Sequence, residues 1–387
     1  MTRGEDGLAT TRPRYGSASL SDVLPAALAA LGLPVADPLG LAAGPLAGVR
    51  AVAVLLVDGL GQSLIPRAAP VAPVLTELAA GPDSRVITAG FPSTTPTSLA
   101  SLGTGAPPGA HGLVGFSVRV PGTERILNHL DWRDDPDPLR WQPLPTLFQR
   151  AGEAGVAAHV VSRAEFVGSG LSVAAYRGGS YVGADDVDAL ADRMLGLLRD
   201  ATGPTLVYGY HPDLDRTGHR FGLTSPQWME AVAEVDRLLG RLVDGLPAGS
   251  ALVVTADHGQ LDVPVEHRFD IDADGRLRAG VRAIAGEPRA RLVYAEPGAA
   301  ADVVAAWRSV LGDAARVMPR DEAIAEGWFG PVTESHLARV GDVVVACHGD
   351  YAILASGTES ERVARLVAFH GSATPDEMLI PLLVVRR

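Results

Sequence analysis

The chain has a single cysteine, Cys347. An internal disulfide is therefore impossible, and a multi-cysteine zinc site is excluded. Long apolar runs are missing too. The longest stretches, such as Val52–Val57 and Ala251–Thr255, fall far short of the ~20 residues that a membrane-spanning helix needs. Basic residues are the scarcer charge: Lys plus Arg number 33 against 45 for Asp plus Glu, a formal net charge of −12. Phosphate backbones want a basic face, so a nucleic-acid polymer is not expected as a partner. Small phosphorylated substrates stay open, because metal ions can supply positive charge. The opening segment, MTRGEDGLATTRPRYG, is polar and mixed in charge, and no plausible cleavage pattern follows it. A cytoplasmic protein without a membrane association is expected.

What is present is globular: 47% apolar and 20% charged residues over 387 positions. A single core stops growing near ~250–300 residues, so one large domain with an insertion is the simplest arrangement. Residues 1–17 read as a disordered lead-in, followed by a helix from about Ser21 to Leu31 with Ser21 as its cap. VRAVAVLLVDGLG (49–61) is an apolar run without alternation, as expected for a parallel strand covered on both faces. Extended patterns at 85–88, 157–161, 205–210 and 251–259 alternate with helical ones at 146–154, 187–198 and 225–246. That alternation predicts an α/β fold with a mostly parallel sheet flanked by helices. After about Glu266 the segments shorten, so 267–346 reads as an inserted α+β cap, with 18–266 and 347–387 forming the core.

Ligands of open α/β sheets sit beyond the carboxyl ends of the strands. The polar residues expected there are Asp58; Thr94 or Thr95; His211, Asp213, Asp215 and His219; Asp257 and His258; and a C-terminal histidine. Few folds place so many Asp and His residues past strand ends without a metal. Asp58 reads as a metal ligand or as a turn residue capping a helix. Asp257 and His258 can aim at one ion only if the backbone has left the strand, which Gly259 permits. Asp215 and His219 are four apart and share a face if that stretch is helical; Asp213 is a competitor. Carboxylate plus imidazole suits zinc or a similar ion. Thr95 precedes Pro96, which favours the first helical position, so Thr95 is expected as an N-cap whose hydroxyl sits where free N–H groups favour an anion. Thr94 and Thr97 are its rivals. His370 is preferred to His348 as the last ligand, because HGS running into TPDEM reads as a metal loop ahead of a helix.

VDGLG, FPSTTPTSLASLGTGAPPGAHG, DRTGH, TADHG and the C-terminal HG, in that order, resemble the alkaline phosphatase superfamily, and within it the nucleotide pyrophosphatase/type I phosphodiesterase family. The resemblance spans roughly 50–260 and 365–387. It implies two divalent ions, zinc in the first instance, with manganese or iron also accepting such sites. Asp58, Asp257 and His258 would hold one ion, with Thr95 as oxygen ligand and nucleophile; Asp215, His219 and His370 would hold the other. Two divalent ions outweigh the three aspartates by one charge, which a phosphodiester balances. The implied reaction is hydrolysis of a small phosphodiester or pyrophosphate, such as a nucleotide, through a phospho-threonine.

This chain departs from the family in two places. Pro96 stands where an aromatic followed by Pro is usual. Phe116 stands where the phosphodiesterase branch has a phosphate-binding Asn, and Asn128, the only Asn in the chain, is the candidate replacement. No sulfatase-type C/S-x-P-x-R pattern is present, and the nucleophile is not the Ser of alkaline phosphatases or of the related mutases. A phosphonate or monoester hydrolase of the same superfamily remains an alternative, as does a non-catalytic metal-binding scaffold. The dinucleotide fingerprint and G-x-S-x-G are absent. Substrate choice is assigned to the cap and to 117–145, where Trp132, Trp141, Trp328 and Phe329 either stack on a base or line a pocket, or simply pack.

Overall fold

The computed structural model describes residues 2–3 and 9–387, with side chains from Thr10 onward. Its central sheet has seven strands in the order Arg85–Thr88, Leu379–Arg386, Ser250–Thr255, Ala51–Val57, Thr205–His211, Ala157–Ser162, Ser180–Gly183. The five from Ser250–Thr255 onward pair in parallel. The C-terminal strand alone runs against both of its neighbours. The three central strands are buried at every residue, which is why their sequences show apolar runs and no alternation. The α/β class and the mostly parallel sheet are as expected from the sequence.

Helices cover the sheet and are stopped by local chemistry. Pro226–Gly245 begins where the Ser225 hydroxyl accepts from Trp228 N, and it buries Trp228, Val232, Val235, Leu238, Leu239 and Leu242 in one stripe. Val187–Arg199 is capped by Asp186, and Leu147–Glu153 by a Thr146/Gln149 capping box. The first helical stretch opens with a 3-10 turn, Leu20–Asp22, capped by Ser19, and continues as the α-helix Val23–Ala30 with Asp22 at its N-cap. Ser21, the expected cap, is buried inside the turn, and the Asp22 carboxylate accepts from Ser19 N at 2.8 Å. Among the described residues no helix is long and apolar enough to cross a membrane.

A second, antiparallel sheet has the order Val281–Glu287, Ala290–Ala295, Val343–Cys347, Ala315–Pro319. The helix Ala300–Leu311 lies over it, and Trp307, Val303, Val317 and Val345 belong to a core separate from the main one.

Part of the lead-in expected over 1–17 is corrected: Thr10–Ser17 is docked. Thr11 N donates to Ala373 O at 2.8 Å, and Arg12 pairs with Glu326. The Tyr15 hydroxyl donates to Trp328 O and accepts from Phe91 N, both at 3.0 Å. Residues 1 and 4–8 lie outside the described residues.

Three histidines are buried away from the sheet's carboxyl edge: His111, His129 and His336, with Arg339 lying over Trp141 at 3.6 Å. His111 Nδ1 accepts from Leu113 N at 3.1 Å, so its proton is on Nε2, 2.9 Å from Ser101 Oγ. His129 Nε2 accepts from Trp141 Nε1 at 3.0 Å, and its Nδ1 proton goes to Gly115 O. A second proton on either ring would face an N–H donor. Burial, with His336, His129 and Arg339 nearby, lowers His111 to about 3, and burial lowers His129 to about 4. The unfolded chain takes these protons near 6.5. This share of stability is therefore complete above pH ~6.5 and is lost as pH falls toward those values, by up to about 1.4 kcal/mol per pH unit for each ring. Denaturant midpoints measured from pH 7.5 to 5 should fall, and should fall less steeply in His111→Asn. Equal slopes in the two proteins would contradict the assignment.

Candidate metal centre and nucleophile

The strand Ala51–Val57 ends at Asp58, whose N–H donates to His211 O at 3.0 Å. The neighbouring strand ends at Thr255, and the backbone turns there so that Asp257 and His258 face the same space. Asp215 and His219 lie on the helix Asp213–Phe221, one turn apart. His370 follows the short strand Ala368–Phe369.

Bringing these turns together requires glycine. Gly59 has φ +74°, and a Cβ there would sit 2.9 Å from Asp215 Cβ. A Cβ on Gly259 would sit 1.9 Å from Asp376 O. At Gly59 the clash extends to Asp215 Cα at 3.1 Å, and at Gly259 it is with a backbone carbonyl, so neither is relieved by moving a side-chain tip.

Thr95 is the first residue of the helix Thr95–Thr104, and Thr94 is its cap. This corrects the expectation that Thr95 is the cap: the extended residue is one earlier, and Pro96 takes the second helical position. Ser98 Oγ donates to Asp257 O at 2.9 Å, tying this helix to the Asp257 turn and leaving Thr95 Oγ1 at 3.2 Å from His258 Nε2.

Two clusters result, Asp58 with Asp257 and His258, and Asp215 with His219 and His370, the ligand atoms of each lying within 4.8 Å of one another. His258 and His370 stack at 3.7 Å between ring centres and join the clusters. Each imidazole has one nitrogen fixed by a carbonyl, which can only accept. Nδ1 of His219, His370 and His258 donates to Ala368 O, Ser93 O and Gly259 O at 2.7, 2.9 and 3.1 Å. Every Nε2 therefore carries a lone pair, and those of His219 and His370 face each other at 3.1 Å. Asp58 Oδ1 and Asp257 Oδ2 are buried without a hydrogen-bond partner. Burial, then Asp257 and Asp215, pushes the Asp58 carboxyl up, and burial also raises Asp257. Burial, then His258 and His219, pushes His370 down. Opposed lone pairs and orphaned carboxylate oxygens in one buried space fit divalent cations, and two Asp/His sets suit zinc, manganese or iron.

Other candidates fall elsewhere. Asp213 pairs with Arg163 and belongs to neither cluster. His348 is buried against Asp313 O at 3.2 Å, outside both clusters. Thr97 donates to Leu113 O, and Thr94 Oγ1 is buried without a partner. His211 has a buried Nε2 without a partner, and burial lowers it to about 4. Asn128 is used locally, accepting from Leu130 N at 2.9 Å and donating to Asp131. Trp132, Trp141, Trp328 and Phe329 are all buried, so the packing alternative holds and none presents a face for stacking.

Sequence reading missed the residues that orient the ligands. The Tyr210 hydroxyl donates to Asp58 Oδ2, leaving Oδ1 unused. Gln260 Nε2 donates to Asp215 Oδ1 at 2.8 Å. Glu287, from the second sheet, lies 3.5 Å from His370 Nδ1. Gln260 directly follows TADHG beyond the end of its strand, and Tyr210 is the penultimate residue of the strand Thr205–His211; nearness to the motifs was the available signal.

A family model described as type I phosphodiesterase / nucleotide pyrophosphatase matches residues 52–373. Over 193 residues the chain is 31% identical to ectonucleotide pyrophosphatase/phosphodiesterase 2 of Saccharomyces cerevisiae, a match spanning 45% of this chain and 38% of that protein. The chain thus spans well under half the length of that relative. Murine ectonucleotide pyrophosphatase/phosphodiesterase 5 superposes with a TM-score of 0.68 at 19% identity, covering 86% of this chain and 87% of that one. An inactive variant of it has been solved with AMP. Phosphonoacetate hydrolase of Sinorhizobium meliloti, in complex with phosphonoformate, gives 0.66 at 21% identity, covering 88% and 90%.

The glycine requirement is testable without substrate. Gly259→Ala should destabilise the chain by about 3 kcal/mol or more in urea unfolding, since backbone must move. Gly196→Ala, in the open middle of its helix with nothing within 4 Å, should stabilise by about 0.5–1 kcal/mol. Equal effects would show that the turns are not in contact.

Proposed function

The chain belongs to the type I phosphodiesterase/nucleotide pyrophosphatase family, and on that premise we propose that it hydrolyses small phosphodiesters or pyrophosphates, nucleotides among them, with Thr95 as the nucleophile. The observation that carries this is the convergence of three Nε2 lone pairs and two unpartnered carboxylate oxygens in two adjoining clusters, one of which sets His258 Nε2 at 3.2 Å from Thr95 Oγ1. Asp58, Asp257 and His258 would hold one divalent ion beside Thr95, and Asp215, His219 and His370 a second. Bound there, such ions supply the positive charge that makes a threonine alkoxide accessible near neutral pH and steadies the leaving oxygen.

The chain's own residues do the rest. Thr95 Oγ1 starts a ten-residue helix whose unpaired N–H groups and dipole favour the phosphoryl oxygens. A P–O bond forms to Thr95 as the bond to the leaving oxygen breaks on the opposite side. Water then cleaves the threonine phosphoester, releasing the phosphoryl product and returning the proton to the hydroxyl. Tyr210 and Gln260 hold the Asp58 and Asp215 carboxylates in one rotamer throughout.

The nucleotide reading draws support from AMP bound to the murine relative. A phosphonate reading draws on Phe116 in the place of the usual phosphate-binding Asn and on Asn128 turned to its own loop. In either case we assign substrate choice to the segment 267–346, read as a cap.

The test is hydrolysis of bis-p-nitrophenyl phosphate against p-nitrophenyl phosphate with zinc or manganese. Diester turnover should be abolished by chelator and lowered roughly 10³-fold or more by Thr95→Ala. Turnover of the monoester alone moves the substrate class, and undiminished activity in Thr95→Ala removes the nucleophile.

A further inference from the structure

A second group of buried charges lies behind the ligand clusters. Arg289 and Glu377 are both completely buried. Two parallel bonds join them, Nε to Oε1 at 2.6 Å and Nη2 to Oε2 at 2.8 Å. Arg289 sits in the two-residue turn between Val281–Glu287 and Ala290–Ala295 of the second sheet. Glu377 sits in the short helix Pro375–Met378, just beyond His370.

Each oxygen of Glu377 serves twice. Oε1 also accepts from Ser372 N at 2.9 Å, and Oε2 from Thr374 Oγ1 at 2.5 Å. Two further guanidinium protons go to Tyr351 O and Gly349 O. The same turn is latched at its other end to Ser93: Ser93 Oγ donates to Ser372 O at 2.6 Å and accepts from Gly371 N, and Ser93 O holds His370 Nδ1.

We propose that the Arg289–Glu377 ion pair is the positioning device for the second ion, fixing the 370–374 turn so that His370 Nε2 faces Asp215 and His219. The proposal rests on the two-ion reading above. His370 lies in a turn with little regular structure, in which Gly371 has φ +127°. Its direction is therefore set by tethers. Without the Glu377 carboxylate, Ser372 N–H and the Thr374 hydroxyl lose their acceptor and a guanidinium is left buried unpaired.

The effect should be confined to one cluster. The Asp257–His258 turn is held by Gly259 N to the backbone carbonyl of Glu377, by Ser98 Oγ to Asp257 O, and by Gly59 N to Asp257 Oδ1. A side-chain substitution at 377 leaves all three. A buried ion pair is also a poor stabiliser compared with apolar side chains of similar volume. What it offers in their place is several directed bonds, and here they end on the metal loop.

The experiment uses the whole chain and zinc alone as probe. Zinc content and affinity are measured by competition with a chromophoric chelator, beside Tm, for the wild type, Glu377→Gln and the double variant Arg289→Met/Glu377→Met. The double variant leaves no charge buried alone, so it decides the matter if Glu377→Gln fails to fold. Expected are two ions in the wild type and, in both variants, one ion at wild-type affinity and a second weakened about 10–100-fold. Excess zinc should then restore kcat in Glu377→Gln. Two ions at wild-type affinity with a lowered Tm would make the pair a stabiliser only and overturn the proposal, as would equal weakening of both ions. A wild type that binds no zinc would overturn the two-ion reading itself, a result distinct from either.

Discussion

Three carboxylates and three imidazole lone pairs crowd into two adjoining clusters in which all but His219 are buried, and the architecture around them is arranged to keep them there. An unpaired buried charge costs several kcal/mol even after relaxation. Burial is answered by raised carboxyl groups at Asp58 and Asp257 and a lowered His370. It cannot answer by turning the rings, because a backbone carbonyl occupies Nδ1 of each. Only cations or protons satisfy what remains, and two divalent ions fit the donors better than protons shared among six groups.

Such density follows from backbone geometry. Parallel strands deliver Asp58 and Asp257 side by side, since Leu56 pairs with Thr255 in register. The turns beyond them approach until Cα atoms and carbonyls touch, at Gly61, Gly259 and Asp376. The helix carrying Asp215 presses on Gly59 in the same way. Ligands from distant parts of the chain meet because their turns have no side chains in the way. The second sheet completes the enclosure from behind, through Arg289 on the His370 turn and Glu287 beside His370 itself.

Reading the sequence recovered what depends on order and spacing. Asp58, Asp257, His258, Asp215 and His219 follow strands or share a helical face, so alternation and the period of the helix were enough to nominate them. His370 over His348 was a choice between two HG pairs, and the structure brings His370, the one followed by TPDEM, beside Asp215 and His219. Single-residue placements were harder. Thr94 and Thr95 are equally good caps by composition, and only the backbone decides between them. Ser19 and Ser21 posed the same ambiguity. Asn128 was nominated by need and not by pattern, and its own turn claims it. The four aromatics were indistinguishable from core residues, which they are. Arg289–Glu377 was invisible because its partners lie 88 positions apart, one in a hairpin turn and the other in a short helix, and no local period reports such a contact.

The proposed handling of anions by an acidic chain is a smaller paradox than its net charge of −12 suggests. Exposed charges are screened within ~8–10 Å, so the surface total says little about the field in the cleft. The chain has no lysine, and several arginines are already matched, Arg163 by Asp213, Arg282 by Glu124, Arg289 by Glu377. On the proposed reading, attraction for an anion comes from the helix end at Thr95 and from the cations the ligand clusters would hold. That source is modest: two divalent ions against three carboxylates leave about one positive charge. A singly charged phosphoester is balanced by it, whereas a dianion would overdraw it and would need an arginine clamp. Arginine–carboxylate pairing within the protein thus bears on substrate charge, because a guanidinium committed to Asp213 or Glu377 is not free to hold phosphate.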